Sequence, residues 1–207
     1  AARKLGLFPH QVLVASTGVI GQFLPLEKVS RGLAQLSLSA EKGGEKLARA
    51  IMTTDTFPKE IAVRGRVGGV PFTMGGVAKG AGMIHPDLAT MLAFITTDAA
   101  VESGFLGECL RRAVATSFNM ITVDGDTSPS DTVLVLASGL AGNPPLAGGE
   151  AGEAFAQALE QVCLYLARSI ARDGEGATRL ITVRVEGALS LAEARRAART
   201  IVGSNLV

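Results

Sequence analysis

The sequence of 207 residues predicts an α+β fold: a layered α/β sandwich of mixed sheets flanked by helices. Three observations carry that expectation. Strand-like and helix-like segments mix without the regular alternation of a doubly wound sheet. Residues 60–67 and 70–78 alternate apolar and polar positions around Gly68-Gly69, a strong hairpin signal. Residues 151–171 place Phe155, Leu159, Val162, Leu166 and Ile170 on one helical face, long enough to cover a sheet.

The remaining elements follow in order. Residues 11–16 read as a buried strand ending in a Thr17-Gly18 turn, and Leu26, Val29, Leu33 and Leu36 recur at helical spacing over 26–41. Gly43-Gly44 interrupts that pattern, and a short helix follows through Leu47 and Ile51. Residues 91–97 read as a strand, and 103–116 as a helix with Leu106, Leu110 and Val114 on one face. Strands are expected over 118–123, 132–137 and 178–186, with a loop at Asn143-Pro144-Pro145. Ser190 and Glu193 form a capping-box pattern opening a last helix, which Gly203 is placed to stop.

Composition removes several classes of function. Hydrophobic content of 47% against 19% charged residues describes a folded chain. A formal charge of +1 leaves neither a nucleic-acid footprint nor a polybasic membrane patch, and no apolar run is long enough to span a bilayer. Cys109 and Cys163, far apart on separate helical patterns, read as reduced core thiols. No signal or transit peptide is visible, which together with the thiols fits a reducing, cytoplasmic compartment.

The chemistry concentrates at Ala89-Thr90. A threonine after a small residue, approached through the Gly- and Pro-rich run Lys79-Gly80-Ala81-Gly82-Met83-Ile84-His85-Pro86, has the pattern of a self-cleavage site. Cleavage before Thr90 would place a free α-amine beside its own hydroxyl, a nucleophile and base within one residue. Read alone, the same threonine also suits the start of a strand. Elsewhere, Gly75-Gly76 through Lys79-Gly80 lacks the G-K-[ST] of a phosphate loop. Asp124, Asp126 and Asp131 lack the glycine of a calcium loop, since Pro129 stands there, and read as turn and cap residues. His10 and His85 make no ligand spacing with the cysteines, so no metal is expected.

Five segments, in order, resemble the ornithine acetyltransferase family, the glutamate N-acetyltransferases of arginine biosynthesis. They are Ser16-Thr17-Gly18-Val19-Ile20-Gly21, Met52-Thr53-Thr54-Asp55-Thr56-Phe57-Pro58-Lys59, the run around Ala89-Thr90, Ser117-Phe118-Asn119 through Asp124-Gly125-Asp126-Thr127-Ser128, and Asp173-Gly174-Glu175-Gly176-Ala177-Thr178. The resemblance implies a self-cleaving precursor, with residues 1–89 ending one chain and 90–207 beginning another. It implies Thr90 as nucleophile in cleavage and in turnover, and the Thr17 hydroxyl with the Gly18 N–H as oxyanion hole; turn chemistry alone also allows a plain strand-to-loop turn there. Substrate contacts are implied at Thr56, Lys79, Thr90 and Glu175, with Lys79 suited to a carboxylate and Glu175 to the ornithine amines. Read as residues only, Lys79 also suits a solvated strand end, Glu175 a turn, and Thr56 a bond to its own backbone.

The implied reaction moves acetyl from N2-acetyl-L-ornithine to L-glutamate through an acetyl-enzyme, with no cofactor; acetyl-CoA would serve as a second acetyl donor in a bifunctional member. The implied assembly is a heterotetramer of two copies of each processed chain. A self-processing amidase or aminopeptidase, releasing acetate to water, and an inactive binding or assembly fragment are the alternatives.

Overall fold

The structure is a computed structural model that describes residues 1–39, 43–85, 91–204 and 206–207. The chain divides into two compact units, Ala1–Gly43 and Gly44–Val207. In the first, α1 (Ala2–Leu5) is followed by a 3-10 turn at Pro9–Gln11 and by α2 (Leu26–Gln35). None of its described residues is buried. Phe8, Val14, Ile20 and Phe23 are all exposed. The strand expected over 11–16 does not form: residues 12–19 are irregular. A strand exists only as half of a ladder, and no described segment of this unit pairs with it.

The second unit opens with α3 (Gly44–Ala50) and then builds a four-stranded mixed sheet in the order β1-β2-β3-β4. β1 (Lys59–Val67) and β2 (Val70–Lys79) form the expected antiparallel hairpin. Gly68 and Gly69, at φ 55° and 83°, supply the left-handed pair that a two-residue turn demands. β2 runs antiparallel to β3 (Leu92–Thr97), with Lys79 opposite Leu92. α4 (Ser103–Thr116) then carries the chain over to β4 (Thr132–Ala137), which lies parallel to β3, as a parallel pair requires a crossover. α5 (Gly149–Arg172) and α6 (Leu191–Val202) complete the unit. The Ser190 hydroxyl accepts the Glu193 N–H at the start of α6.

Pairing register and side-chain alternation put Ile61 and Val63, Met74 and Ala78, Ala93 and Ile95, and Val133 and Val135 on one sheet face. All belong to or pack against a single core, which Phe155, Leu159, Val162, Cys163, Leu166 and Ile170 of α5 complete. Both cysteines are buried and free, and burial pushes the Cys163 thiol up to about 12.

Two further expected strands are absent. Residues 118–120 form a 3-10 turn that buries Phe118, and the Val123 N–H and the Thr122 hydroxyl bond to the Ile84 carbonyl at 2.8 and 3.1 Å without making a ladder. Residues 178–186 make no ladder, and Leu180 and Ile181 are exposed. Both segments have strand-like composition, but neither lies against β1 or β4, the edges of the sheet.

α5 reaches the sheet through Gly76. A Cβ there would stand 2.8 Å from Val162 Cγ1 and 3.0 Å from Leu166 Cδ1. Gly76→Val is therefore expected to destabilise the fold by about 1–3 kcal/mol through overpacking, read as a lower urea midpoint with an unchanged slope. An unchanged midpoint would mean that α5 does not seat there.

Candidate active site

The site is assembled where the end of β2, the 80–85 loop, the start of β3, the start of β4 and the end of α5 meet. Its foundation is a buried ammonium shared by two carboxylates. Lys59, at the start of β1, is 1% exposed. Its Nζ lies 2.6 Å from Asp55 Oδ1 and 2.6 Å from Asp173 Oδ2, with the Phe57 carbonyl at 3.5 Å. Three N–H donors thus face three acceptors, and the Phe57 ring centroid is 4.8 Å from the ammonium.

Each carboxylate also fixes backbone. Asp55 Oδ1 accepts the Gly80 N–H at 2.7 Å and Oδ2 the Thr53 N–H at 3.1 Å. Asp173 Oδ2 accepts the Thr56 N–H at 2.9 Å, and its Oδ1 accepts the Thr56 hydroxyl. Burial pushes both acids up, but these hydrogen bonds and the Lys59 charge outweigh it and hold both below the ordinary carboxylate value.

Lys79 is the other buried ammonium, 3% exposed at the end of β2. Among the described residues it makes no hydrogen bond and no ion pair. Burial lowers its pKa, and Lys59 lowers it further; the charges of Asp55, Asp131 and Glu175 oppose this. Glu175 is exposed and enters from just beyond α5, its N–H donated to the Ala81 carbonyl at 2.7 Å. Its carboxyl lies against Gly82, where a Cβ would come within 2.6–2.8 Å of it, so the glycine makes room for the acid.

The intervening loop is held under strain. Met83 has φ 55°, a left-handed conformation unfavourable for a side chain with a Cβ. Asp124 secures it by accepting the Met83 N–H at 2.5 Å and the Ile84 N–H at 3.0 Å. Asp131 Oδ1 accepts the Met91 N–H at 2.9 Å. These acids act as cap residues, the role expected from their spacing. No group of three or more His, Cys, Asp or Glu side chains among the described residues is arranged to hold a metal ion.

The predicted site residues therefore divide. Thr56, Lys79 and Glu175 come together through the Lys59 hub and the 80–85 loop. Thr17 and Gly18 lie in the Ala1–Gly43 unit, with Thr17 half-buried and Gly18 exposed. Ala89 and Thr90 lie outside the described residues. Lys59, Asp55 and Asp173 stood inside the quoted motifs without being singled out. The spacing of Asp55 and Lys59 hints at a local pair, but nothing local signals Asp173, 114 positions from Lys59.

A mixed sheet ending in a buried lysine, an acid-lined loop and a Gly-Glu-Gly turn thus gathers cationic and anionic groups at one end of the sheet. The ArgJ family matches this sequence over residues 1–207. The chain is 60% identical to the arginine biosynthesis bifunctional protein ArgJ of Symbiobacterium thermophilum, and 55% identical to that of Dehalococcoides mccartyi. Both matches cover 100% of this chain and 52% and 51% of those proteins. A crystal structure of the ArgJ protein from Bacillus halodurans is 50% identical, with a TM-score of 0.52, over 54% of this chain and 53% of that one. This chain belongs to the ArgJ family. It spans about half the length of the curated relatives it matches. Among the described residues, no helix is long and apolar enough to cross a membrane.

Removing the hub cation tests the foundation of the site. Lys59→Met strands two buried carboxylates and is expected to cost about 3–5 kcal/mol. The wild type should also show an acid limit. Both acids are held below 3.8, so their stabilisation is present above that value and is lost as pH falls through their folded-state values. Chemical denaturation at pH 7 and pH 3 measures both effects; equal stability at the two pH values would remove the ionised hub.

Proposed function

We propose that this chain is part of an acetyltransferase that moves acetyl from N2-acetyl-L-ornithine to L-glutamate by a ping-pong mechanism, after autoproteolysis between Ala89 and Thr90. The observation that carries this reading is Lys79. A buried ammonium without a described partner, flanked by Glu175, suits a substrate bearing both carboxylate and amine. It stands opposite Leu92 in the sheet, beside the strand that begins just after Thr90.

In the precursor, the Thr90 hydroxyl attacks the Ala89 carbonyl and the peptide becomes an ester by an N-to-O shift. Water then cleaves the ester, leaving a carboxylate on Ala89 and a free amine and hydroxyl on Thr90. In turnover, the α-amine, with an ordinary pKa of about 8, takes the hydroxyl proton as the oxygen attacks the acetyl carbonyl. The Thr17 hydroxyl and the Gly18 N–H stabilise the oxyanion. Ornithine leaves with the proton, and the acetyl ester passes to the amine of glutamate, restoring the threonine. Thr56 and Glu175 orient the donor, and Lys79 holds its carboxylate. Acetyl-CoA is a second acetyl donor in this reading, and no cofactor is required. The working assembly is a cytoplasmic heterotetramer of two copies of each processed chain. The β2–β3 pairing supports the association of the two processed chains with each other, because residues on either side of position 90 share one sheet.

Two mutations test this in the full-length protein. Thr90→Ala is expected to abolish both splitting, read by intact mass, and formation of N-acetylglutamate, while Thr90→Ser keeps part of each. Splitting by Thr90→Ala would refute the nucleophile. Thr17→Ala is expected to lower kcat by about 10²–10³-fold with little change in substrate binding; lost binding at unchanged kcat would refute the oxyanion role. Acetate as the sole product would replace the transferase reading with hydrolysis.

A further inference from the structure

Glu175 is the acid that meets the side-chain amine of the donor in the reaction proposed above. It nevertheless stands exposed just beyond α5, and its carboxylate accepts no hydrogen bond from a described residue. A carboxylate in that position samples several rotamers, and selecting one costs conformational entropy unless contacts choose it. Three contacts do so here. The Glu175 N–H is donated to the Ala81 carbonyl at 2.7 Å. Its carboxyl rests on Gly82, where a Cβ would stand only 2.6–2.8 Å from it. The preceding residue, Gly174, rests on Val123, whose Cγ1 would lie 2.8 Å from a Cβ at that position. Glu175 is therefore seated on two segments, 81–84 and 122–124.

Those two segments hold each other, and Asp124 does most of the holding. The Val123 N–H and the Thr122 hydroxyl are donated to the Ile84 carbonyl at 2.8 and 3.1 Å. Asp124 Oδ2 accepts the Met83 N–H at 2.5 Å, and Oδ1 accepts the Ile84 N–H at 3.0 Å together with the Asp126 N–H at 3.1 Å. Met83 keeps φ 55° against the preference of a residue with a Cβ, so losing the Asp124 bonds lets the loop relax. Gly82, directly before Met83, moves with it. We propose that Asp124 is a positioning residue for Glu175: by fixing Met83 and Ile84 it places Gly82 as the surface on which the carboxylate rests, and so sets the preference for a donor carrying a side-chain ammonium. The proposal rests on the reading of Glu175 as partner of the donor's amine and adds the residue that aims it.

The test measures, in the full-length protein, kcat and KM for N2-acetyl-L-ornithine and Ki for N2-acetyl-L-norvaline, the same donor without its side-chain amine. Circular dichroism and intact mass report folding and splitting. Asp124→Ala is expected to raise KM by about 5-fold, the scale of an exposed ion pair, with kcat and Ki held. Damage to the site as a whole would move KM and Ki together or lower kcat; either result overturns the proposal, as does an unchanged KM. Should Asp124→Ala not fold or not split, Asp124→Asn, which keeps one carbonyl oxygen for the two N–H groups, decides by the same criteria. Failure of both variants overturns the proposal, because Asp124 then serves the whole unit and not Glu175. Glu175→Gln separates the proposal from the reading beneath it. That variant is expected to raise KM by the same factor, and adding Asp124→Ala to it should raise KM no further. If Glu175→Gln raises KM and Asp124→Ala does not, the role of Asp124 alone falls. If Glu175→Gln leaves KM unchanged, the carboxylate does not meet the amine and both fall together.

Discussion

The charge pair on which the site depends is buried and shared: Lys59 between Asp55 and Asp173. Asp55 and Lys59 are four residues apart and Asp173 is far from both in sequence, and each carboxylate has further work. Asp55 fixes the Gly80 N–H, and so the exit of β2 just past Lys79. Asp173 fixes Thr56 through backbone and hydroxyl, and stands two residues before Glu175. Three residues expected to contact substrate are thereby referred to one ammonium. Buried ion pairs often add little net stability over an apolar replacement. What this one supplies is registry: loop 53–58, the end of β2 and the end of α5 cannot shift independently without leaving a charge unpaired.

The sheet provides a second constraint. β2 and β3 are antiparallel neighbours, and the chain that joins them contains the Ala89-Thr90 bond. Their ladder from Met74–Thr97 to Lys79–Leu92 does not depend on that bond being intact. A covalent break there is therefore compatible with a sheet that keeps its register, provided that the core face stays sealed by α5. Gly76 serves that seal by letting Val162 and Leu166 approach the strand.

How far the sequence revealed this depended on how local each signal was. The Gly68-Gly69 turn, the bounds of α4 and the apolar face of α5 are properties of adjacent residues, and all three appear as expected. The strands proposed over 11–16, 118–123 and 178–186 fail for a common reason: strand-like composition shows that a segment can pair, not that a partner lies beside it. The Lys59 hub was illegible for a related reason. Asp55 lies four residues from Lys59, but Asp173 is brought in only by the length and seating of α5. Asp131 was legible as a cap, yet its contact with Met91 comes from the parallel alignment of β3 and β4, which no local pattern announces.

The two buried lysines separate structure from function by their surroundings. Both sit at strand ends, and both are almost wholly removed from water. Lys59 has an acceptor for each of its N–H groups, so its charge is neutralised within the fold and nothing is left for a ligand. Lys79 makes no ion pair among the described residues, and burial weakens its hold on the proton. An ammonium in that condition costs free energy that an arriving anion recovers. A chain selected for stability alone would have closed the gap with a side chain, as it did at Lys59. The unshared N–H groups of Lys79, beside an acid-bearing turn and the first residues of β3, are what the proposed substrate carboxylate would satisfy.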